Sequence, residues 1–301
     1  MSVLGVNVSP TGSETYAQVV DSGASIVRLV LRGDVHVREI VQGYRNGGMS
    51  IIGVYAKESI QTCPDQNDPI GWYANQVGDL LYAFQVGNEP DQVGPSSWTL
   101  PLGTIGQMGS SAWHRFPRSV KIVMGGLASG DPNYLDTDRG SDWPWNGIFE
   151  AICVHPYTQR PSTILSFIQG YRAKARGLPI WATEFAWYDG IARILCDMLP
   201  VSLVYNFQDW PGWLNGLVDM YGHPKPWYVE FQALAKVVNR VATTDELQAQ
   251  IKQLQEQQSI QTDALAAIGK KRYRGPGSLE ALVRRLSPVT YKDYEALDPF
   301  P

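Results

Sequence analysis

Asn7-Val8-Ser9-Pro10-Thr11-Gly12 follows the first strand-like run of the chain and lacks the glycine-rich fingerprint of a phosphate-binding turn. An open, doubly wound sheet would carry that fingerprint after its first strand. Outward from this turn, short β-rich runs recur at Val3–Val8, Ser25–Leu31, Ser50–Tyr55, Leu81–Val86, Lys121–Gly125, Ala151–His155, Pro179–Thr183 and Ser202–Phe207. Helix-compatible segments lie between and after them, at Glu14–Ser22, Val37–Tyr44, Trp72–Leu80, Thr104–Phe116, Ser162–Ala175, Gly190–Leu199 and Pro226–Asn239. Parallel strands need crossover connections, so eight strands, most followed by a helix, predict an α/β fold: an eight-stranded parallel (β/α)8 barrel over residues 1–240. The connection Asp131–Glu150 is irregular and rich in Asp, Pro and Trp, with a short helix expected only at Trp145–Phe149.

Beyond Asn239 the composition shifts, and residues 241–301 read as a separate helical tail. Thr243–Gly269 is rich in Gln and Glu, and a three-four spacing runs through Leu247, Ile251, Leu254, Gln258, Gln261, Leu265 and Ile268. That is a heptad seam with two polar layers. It fits a short coiled coil, which would make the protein a homo-oligomer, and equally one long helix lying back on the barrel. The basic run Lys270–Arg274 reads as a solvated linker, Leu279–Leu286 as a short helix, and Ser287–Pro301 has no usable periodicity.

The 301 residues are 44% hydrophobic and 18% charged, ordinary values for a globular chain. A net charge of −4 argues against a nucleic-acid partner, which would need a basic face. No apolar run approaches a membrane span, and the start MSVLGVNVSP lacks the basic and apolar regions of a secretory signal. Those features point to an intracellular or virion-associated protein, or to the mature form of a secreted one. Three scattered cysteines and four scattered histidines give no metal-ligand spacing, so neither metal nor cofactor is expected. The 10 Trp and 15 Tyr outnumber the 8 Phe, and such half-polar rings suit wet, half-apolar ligands.

Chemistry concentrates at two strand ends. Phe84-Gln85-Val86-Gly87-Asn88-Glu89-Pro90-Asp91 places a carboxylate at the carboxyl end of the fourth strand, the face on which barrel active sites sit. On strand alternation Gln85, Gly87 and Glu89 share a side, and the small Gly87 would leave room beneath the carboxylate. Pro179-Ile180-Trp181-Ala182-Thr183-Glu184-Phe185 ends the seventh strand in a second glutamate, with Ala182 beneath it on the same reasoning. Strands four and seven of eight face each other across a barrel mouth. Arg28 lies inside the apolar run Ile26-Val27-Arg28-Leu29-Val30 and needs an acidic partner if buried; Arg32 is the alternative if the register differs. Cys153, His155 and Tyr157 share a face at the end of the sixth strand.

This arrangement resembles clan A of the glycoside hydrolases, barrels with an Asn-Glu pair after strand four and a second Glu after strand seven. The motifs are Asn88-Glu89-Pro90, Thr183-Glu184-Phe185 and Gly216-Leu217-Val218-Asp219 followed by Pro224-Lys225-Pro226. The resemblance covers roughly Val3–Asn239. It implies a retaining hydrolase of β-linked glycosides or polysaccharides, with Glu89 as acid/base and Glu184 as nucleophile, an ionised carboxylate beside a protonated one. It also implies a sugar 2-hydroxyl contact at Asn88, an arginine beside the nucleophile at Arg28, and mouth positions for His155 and Tyr157, where the tyrosine can hold the nucleophile by a hydrogen bond and His155 fits a structural hydrogen bond as well as a substrate contact. Trp187, Trp210 and Trp213, just beyond strands seven and eight, are candidates for sugar stacking; each alone reads as packing before platform, but one or more should line the cleft. The sequence departs from many relatives where a tryptophan within strand eight is replaced by Asn206-Phe207-Gln208, with Trp210 as the candidate substitute. A barrel that binds carbohydrate without cutting it is the rival reading, and the paired glutamates speak against it. A structural component such as a phage virion protein is another, favoured by the heptad seam and compatible with hydrolysis.

Overall fold

A computed structural model describes residues 2–9, 16–92, 99–137, 147–158, 160–210 and 214–240. Eight parallel strands, β1 (Val3–Asn7), β2 (Ile26–Val30), β3 (Ser50–Tyr55), β4 (Ala83–Val86), β5 (Lys121–Leu127), β6 (Ala151–Val154), β7 (Ile180–Phe185) and β8 (Val201–Val204), close into a barrel in sequence order. β1 pairs with β8 in register Val3↔Val201 to Val6↔Val204, which completes the ring. Around it lie α1 (Tyr16–Asp21), α2 (Val37–Asn46), α3 (Lys57–Thr62), α4 (Pro69–Val77), α5 (Leu102–Arg115), α6 (Pro161–Lys174), α7 (Asp189–Met198) and α8 (Pro226–Val238).

Local chemistry sets several of these boundaries. Pro69, Pro161 and Pro226 stand at the first helical positions of α4, α6 and α8, where a missing N–H costs nothing. Asp68 caps α4 by accepting the Gly71 N–H at 3.1 Å. The segment expected as one helix at Trp72–Leu80 is instead preceded by α3 and begins at Pro69, because Asp68-Pro69 supplies both cap and start. In the connection after β5 a 3-10 turn forms at Pro132–Asp136, and Gly147–Phe149 is turn and bridge rather than helix; Trp145 lies outside the described residues.

The barrel interior is packed with Ile26, Ile52, Ala83, Val123, Ala151, Cys153, Trp181, Val201 and Leu203. Trp181 is the large member, stacked on Tyr82 at 6.1 Å and 12°. Arg28 and Gln85 stand two residues above Ile26 and Ala83 on the same inward faces, so the interior turns from apolar to polar toward the carboxyl ends. Among the described residues, no helix is long and apolar enough to cross a membrane.

At the end of α8 the Asn239 amide ties the last helix to the first strand. It accepts the Leu4 N–H at 2.8 Å and donates to the Leu4 and Gly23 carbonyls at 2.9 and 2.8 Å. A chain ending at Arg240 keeps all eight barrel strands and this tie, whereas the seam of Thr243–Gly269 lies outside the described residues. Such a truncated chain is expected to melt cooperatively, within a few degrees of the full chain. Loss of the cooperative transition in a thermal scan would assign the tail to the barrel's own core.

Candidate active site

Glu89 follows β4 through a turn rather than as a continuation of the strand. Alternation stops at Val86: Gly87 has φ +88°, and a Cβ there would point at Ile105 of α5, not beneath the carboxylate. Glu89 itself holds φ +51°, a left-handed conformation that costs roughly 1–3 kcal/mol in a non-glycine residue. Neighbouring bonds hold it there. Its N–H donates to the Gly126 carbonyl at 3.0 Å, and Asp91 accepts the Ala128 and Ser129 N–H groups at 3.0 Å each. Space beneath the carboxylate comes from Gly126 on β5, where a Cβ would stand 2.8 Å from His155 Nε2 and 2.9 Å from Gln85 Nε2.

Glu184 reaches the mouth by a different device. Trp181, not Ala182, belongs to the packed interior, and the register between β7 and β8 shifts between Ala182 and Phe185. That irregularity resets the alternation and turns Glu184 over the core.

The two carboxylates meet above the barrel. One oxygen from each and one ring nitrogen of His155 lie within 4.8 Å of one another. Arg28 donates to Glu184 Oε1 at 2.6 Å, to Asn7 Oδ1 at 2.6 Å, to Asn88 Oδ1 at 2.6 Å and to Gln85 Oε1 at 3.0 Å. Tyr157 donates its hydroxyl to Glu184 Oε2. His155 Nδ1 lies 3.0 Å from Glu89 Oε1, and Nε2 lies 3.6 Å from Glu184 Oε1. Burial pushes the Glu184 carboxyl up, but His155, Arg28 and the Tyr157 hydroxyl outweigh it and hold the group below its ordinary value. Burial, and then the negative charge of Glu184, push the Tyr157 phenol well above its ordinary value, so it remains a donor. Glu89, Glu184 and His155 offer ligand atoms within reach of a single metal ion, but Arg28 already sets a fixed positive charge against Glu184.

A cleft of about 720 Å³ opens over this centre, lined among others by Asn7, Asn88, Glu89, Tyr157, Glu184, Tyr205 and Trp210. Several expected substrate contacts are placed otherwise. His155 is 1% exposed and lies under the floor between the carboxylates, since Gly126 leaves room only for its ring there. Trp187 is buried in T-shaped contact with Phe231 at 5.5 Å, its indole N–H 3.4 Å from Glu230, and it does not line the cleft. Trp213 lies outside the described residues. Arg32 lines the cleft, partly exposed, and pairs with Asp34 at 2.9 Å, so Arg28 is the buried arginine. Asn7, Gln85 and Tyr205 were not singled out from the sequence. The signal was present for the first two, since a polar residue inside an apolar strand raises the same question as Arg28. Tyr205, just beyond β8, lines the cleft alongside Trp210.

Replacing Arg28 with Met would leave Glu184 buried without its nearest cation, and breaking such a pair costs about 3–5 kcal/mol. The sign with pH follows from the lowered Glu184 value. In the parent chain its ionisation stabilises the fold above the unfolded carboxyl value, and that contribution is lost as pH falls through the folded value. In Arg28→Met the buried charge is a liability at neutral pH that protonation relieves. Urea unfolding should therefore show a deficit that narrows on acidification; a constant deficit would mean that packing, not charge, was lost.

No protein-family model matches the sequence, and a sequence search of curated proteins returns no match. Solved structures with the same architecture are found. The endoglucanase Cel5A of Thermotoga maritima shares 14% identity over 77% of this chain and 96% of its own, with a TM-score of 0.54. A GH5-4 broad-specificity endoglucanase from Clostridium acetobutylicum shares 13% over 77% and 96%, with a TM-score of 0.57. β-Glucuronidase 2 of Bacteroides uniformis shares 11% over 78% of this chain and 34% of its own, with a TM-score of 0.57. With its closed parallel barrel, the chain has the fold of the clan A glycoside hydrolases.

Proposed function

We propose that this protein is a retaining glycoside hydrolase acting on β-linked glycosides, with Glu184 as nucleophile and Glu89 as acid/base. The observation that carries the reading is the pair itself: two carboxylates at the ends of β4 and β7 with oxygens within 4.8 Å. Retaining enzymes hold their carboxyl groups about 5–5.5 Å apart, while inverting ones need about 6.5–9.5 Å to admit a water. The two environments divide the labour. Glu184 is buried among cationic and hydroxyl donors that favour its ionised form, as a nucleophile requires. The Glu89 side chain is 27% exposed at the cleft and is held from behind by His155, where it can meet a glycosidic oxygen.

In this scheme Glu89 gives its proton to the leaving oxygen while Glu184 bonds to the anomeric carbon. Glu89 then takes a proton from water, which attacks the same carbon and frees Glu184. Arg28 and Tyr157 orient Glu184 and share its charge before attack, and they release it as the ester forms. The named endoglucanases and β-glucuronidases among the structural neighbours support a β-linked substrate. The test is a panel of aryl β-glycosides and β-linked polysaccharides incubated with purified protein. Sugar release that is absent from a Glu184→Ala control is expected; no release from any member would count against the reading.

A further inference from the structure

Arg28 is bonded to several acceptors, and only one of them is the nucleophile. Its Nε donates to Gln85 Oε1 at 3.0 Å, Nη1 to Asn7 Oδ1 and Nη2 to Asn88 Oδ1 at 2.6 Å each. Each of these is a neutral amide. Among the described residues, Glu184 is the one carboxylate within ion-pair distance of this guanidinium. At Asn7 and Gln85, both buried, the orientation of the amide is fixed from behind. The Asn7 NH2 group donates to the Thr183 and Val204 carbonyls at 2.9 and 3.1 Å. The Gln85 NH2 group donates to the Gly87 carbonyl at 2.9 Å and to the Gly125 carbonyl. Carbonyls only accept, so they hold the NH2 end of each amide and leave its oxygen facing Arg28. A carboxylate in either place could take the Arg28 bond, but its second oxygen would face two carbonyls.

Attack by the nucleophile upsets this charge balance. As Glu184 bonds to the anomeric carbon, the bond to the leaving oxygen breaks, that oxygen takes the Glu89 proton, and the Glu184 carboxylate becomes a neutral ester. Arg28 is then a buried cation bonded to neutral acceptors alone. Glu89, ionised at that stage, is bonded to His155 Nδ1 at 3.0 Å and not to Arg28. A buried charge with no anion in contact is costly. The cost is lifted when water attacks the anomeric carbon, gives a proton to Glu89 and breaks the bond to Glu184, which restores the carboxylate beside Arg28. We infer that Asn7 and Gln85 are positioning residues that hold Arg28 through neutral amides, so that the glycosyl-enzyme has no counter-ion on its buried guanidinium and passes quickly to hydrolysis. A second anion on Arg28 would let the chain rest in the covalent intermediate. This rests on the retaining reading of Glu89 and Glu184.

The test compares the full chain with Gln85→Glu, Asn7→Asp and Gln85→Met at one fixed neutral pH, where a carboxyl introduced beside Arg28 is ionised. The probes are the 2,4-dinitrophenyl 2-deoxy-2-fluoro-β-glucoside, β-galactoside and β-cellobioside. Their fluorine slows both displacements and their leaving group spares the first, so the glycosyl-enzyme can be isolated. Intact-protein mass spectrometry and peptide mapping place the adduct, and its disappearance after removal of excess probe gives the rate of the second displacement. Gln85→Glu and Asn7→Asp should each lengthen the life of the adduct by about 10-fold, because each gives Arg28 an anion while Glu184 is esterified. Gln85→Met removes the same hydrogen bonds without adding charge and should not lengthen it. Unchanged or shorter lifetimes in the acidic variants, or equal lengthening in Gln85→Met, would overturn the inference. The two positions lie on different strands, so either acidic variant decides the matter if the other misfolds. An adduct on Glu184 whose lifetime ignores these charges overturns this inference and leaves the retaining reading standing. A parent chain that never carries an adduct overturns both.

Discussion

Glu184→Ala is expected to lose on the order of 10⁴-fold or more in kcat, and small anions should restore part of it. The substitution removes the attacking oxygen and leaves space beside the anomeric carbon, under the Arg28 and Tyr157 donors that faced the carboxylate. Azide or formate can occupy that space. With an activated aryl β-glycoside, azide displaces the leaving group once, so the glycosyl azide should be the α anomer. Chromatography and proton NMR of the product read the outcome. Near-normal activity in Glu184→Ala would remove this residue from the chemistry altogether.

Glu89→Ala should fail in a way that depends on the leaving group. A proton donor contributes about 10²–10⁴-fold, so natural glycosides should slow by that factor. A dinitrophenolate needs little protonation, so glycosylation of Glu184 should persist with such substrates. The glycosyl-enzyme then lacks its base for water, and azide should attack it to give the β anomer, the product of two displacements. If the Glu184→Ala variant yielded β-azide and the Glu89→Ala variant α-azide, the two roles would be exchanged.

How far the site could be read from the chain depended on whether the period of two survived to the strand end. Arg28 sits in mid-strand, two residues above Ile26, and its acidic partner could be sought because an isolated buried guanidinium is untenable. Glu89 and Glu184 were visible as residues but not as geometry. Alternation placed small residues Gly87 and Ala182 beneath them, whereas a left-handed turn at β4 and a register shift at β7 set their directions. Both are irregularities of pairing with a neighbour, and one strand's sequence does not contain its neighbour's register. The space that was expected at Gly87 is made by Gly126, on the adjacent strand.

Aromatic residues were harder still. Trp187 and Trp210 stand in similar positions just beyond a strand, yet one packs on Phe231 and the other faces the cleft. α8 supplies Phe231 and Glu230 to the first, while the second meets the Tyr205 ring at 6.4 Å. Phe231 and Glu230 are far in sequence from Trp187. Composition announced a surplus of half-polar rings but could not assign them.

Under the proposed mechanism, two carboxylates above one barrel perform two successive displacements at one carbon. Proton NMR of the hydrolysis of an aryl β-glycoside, followed from the first minutes, tests it most directly. The predicted first-formed sugar is the β anomer, which then mutarotates to equilibrium; an α anomer appearing first would contradict the claim.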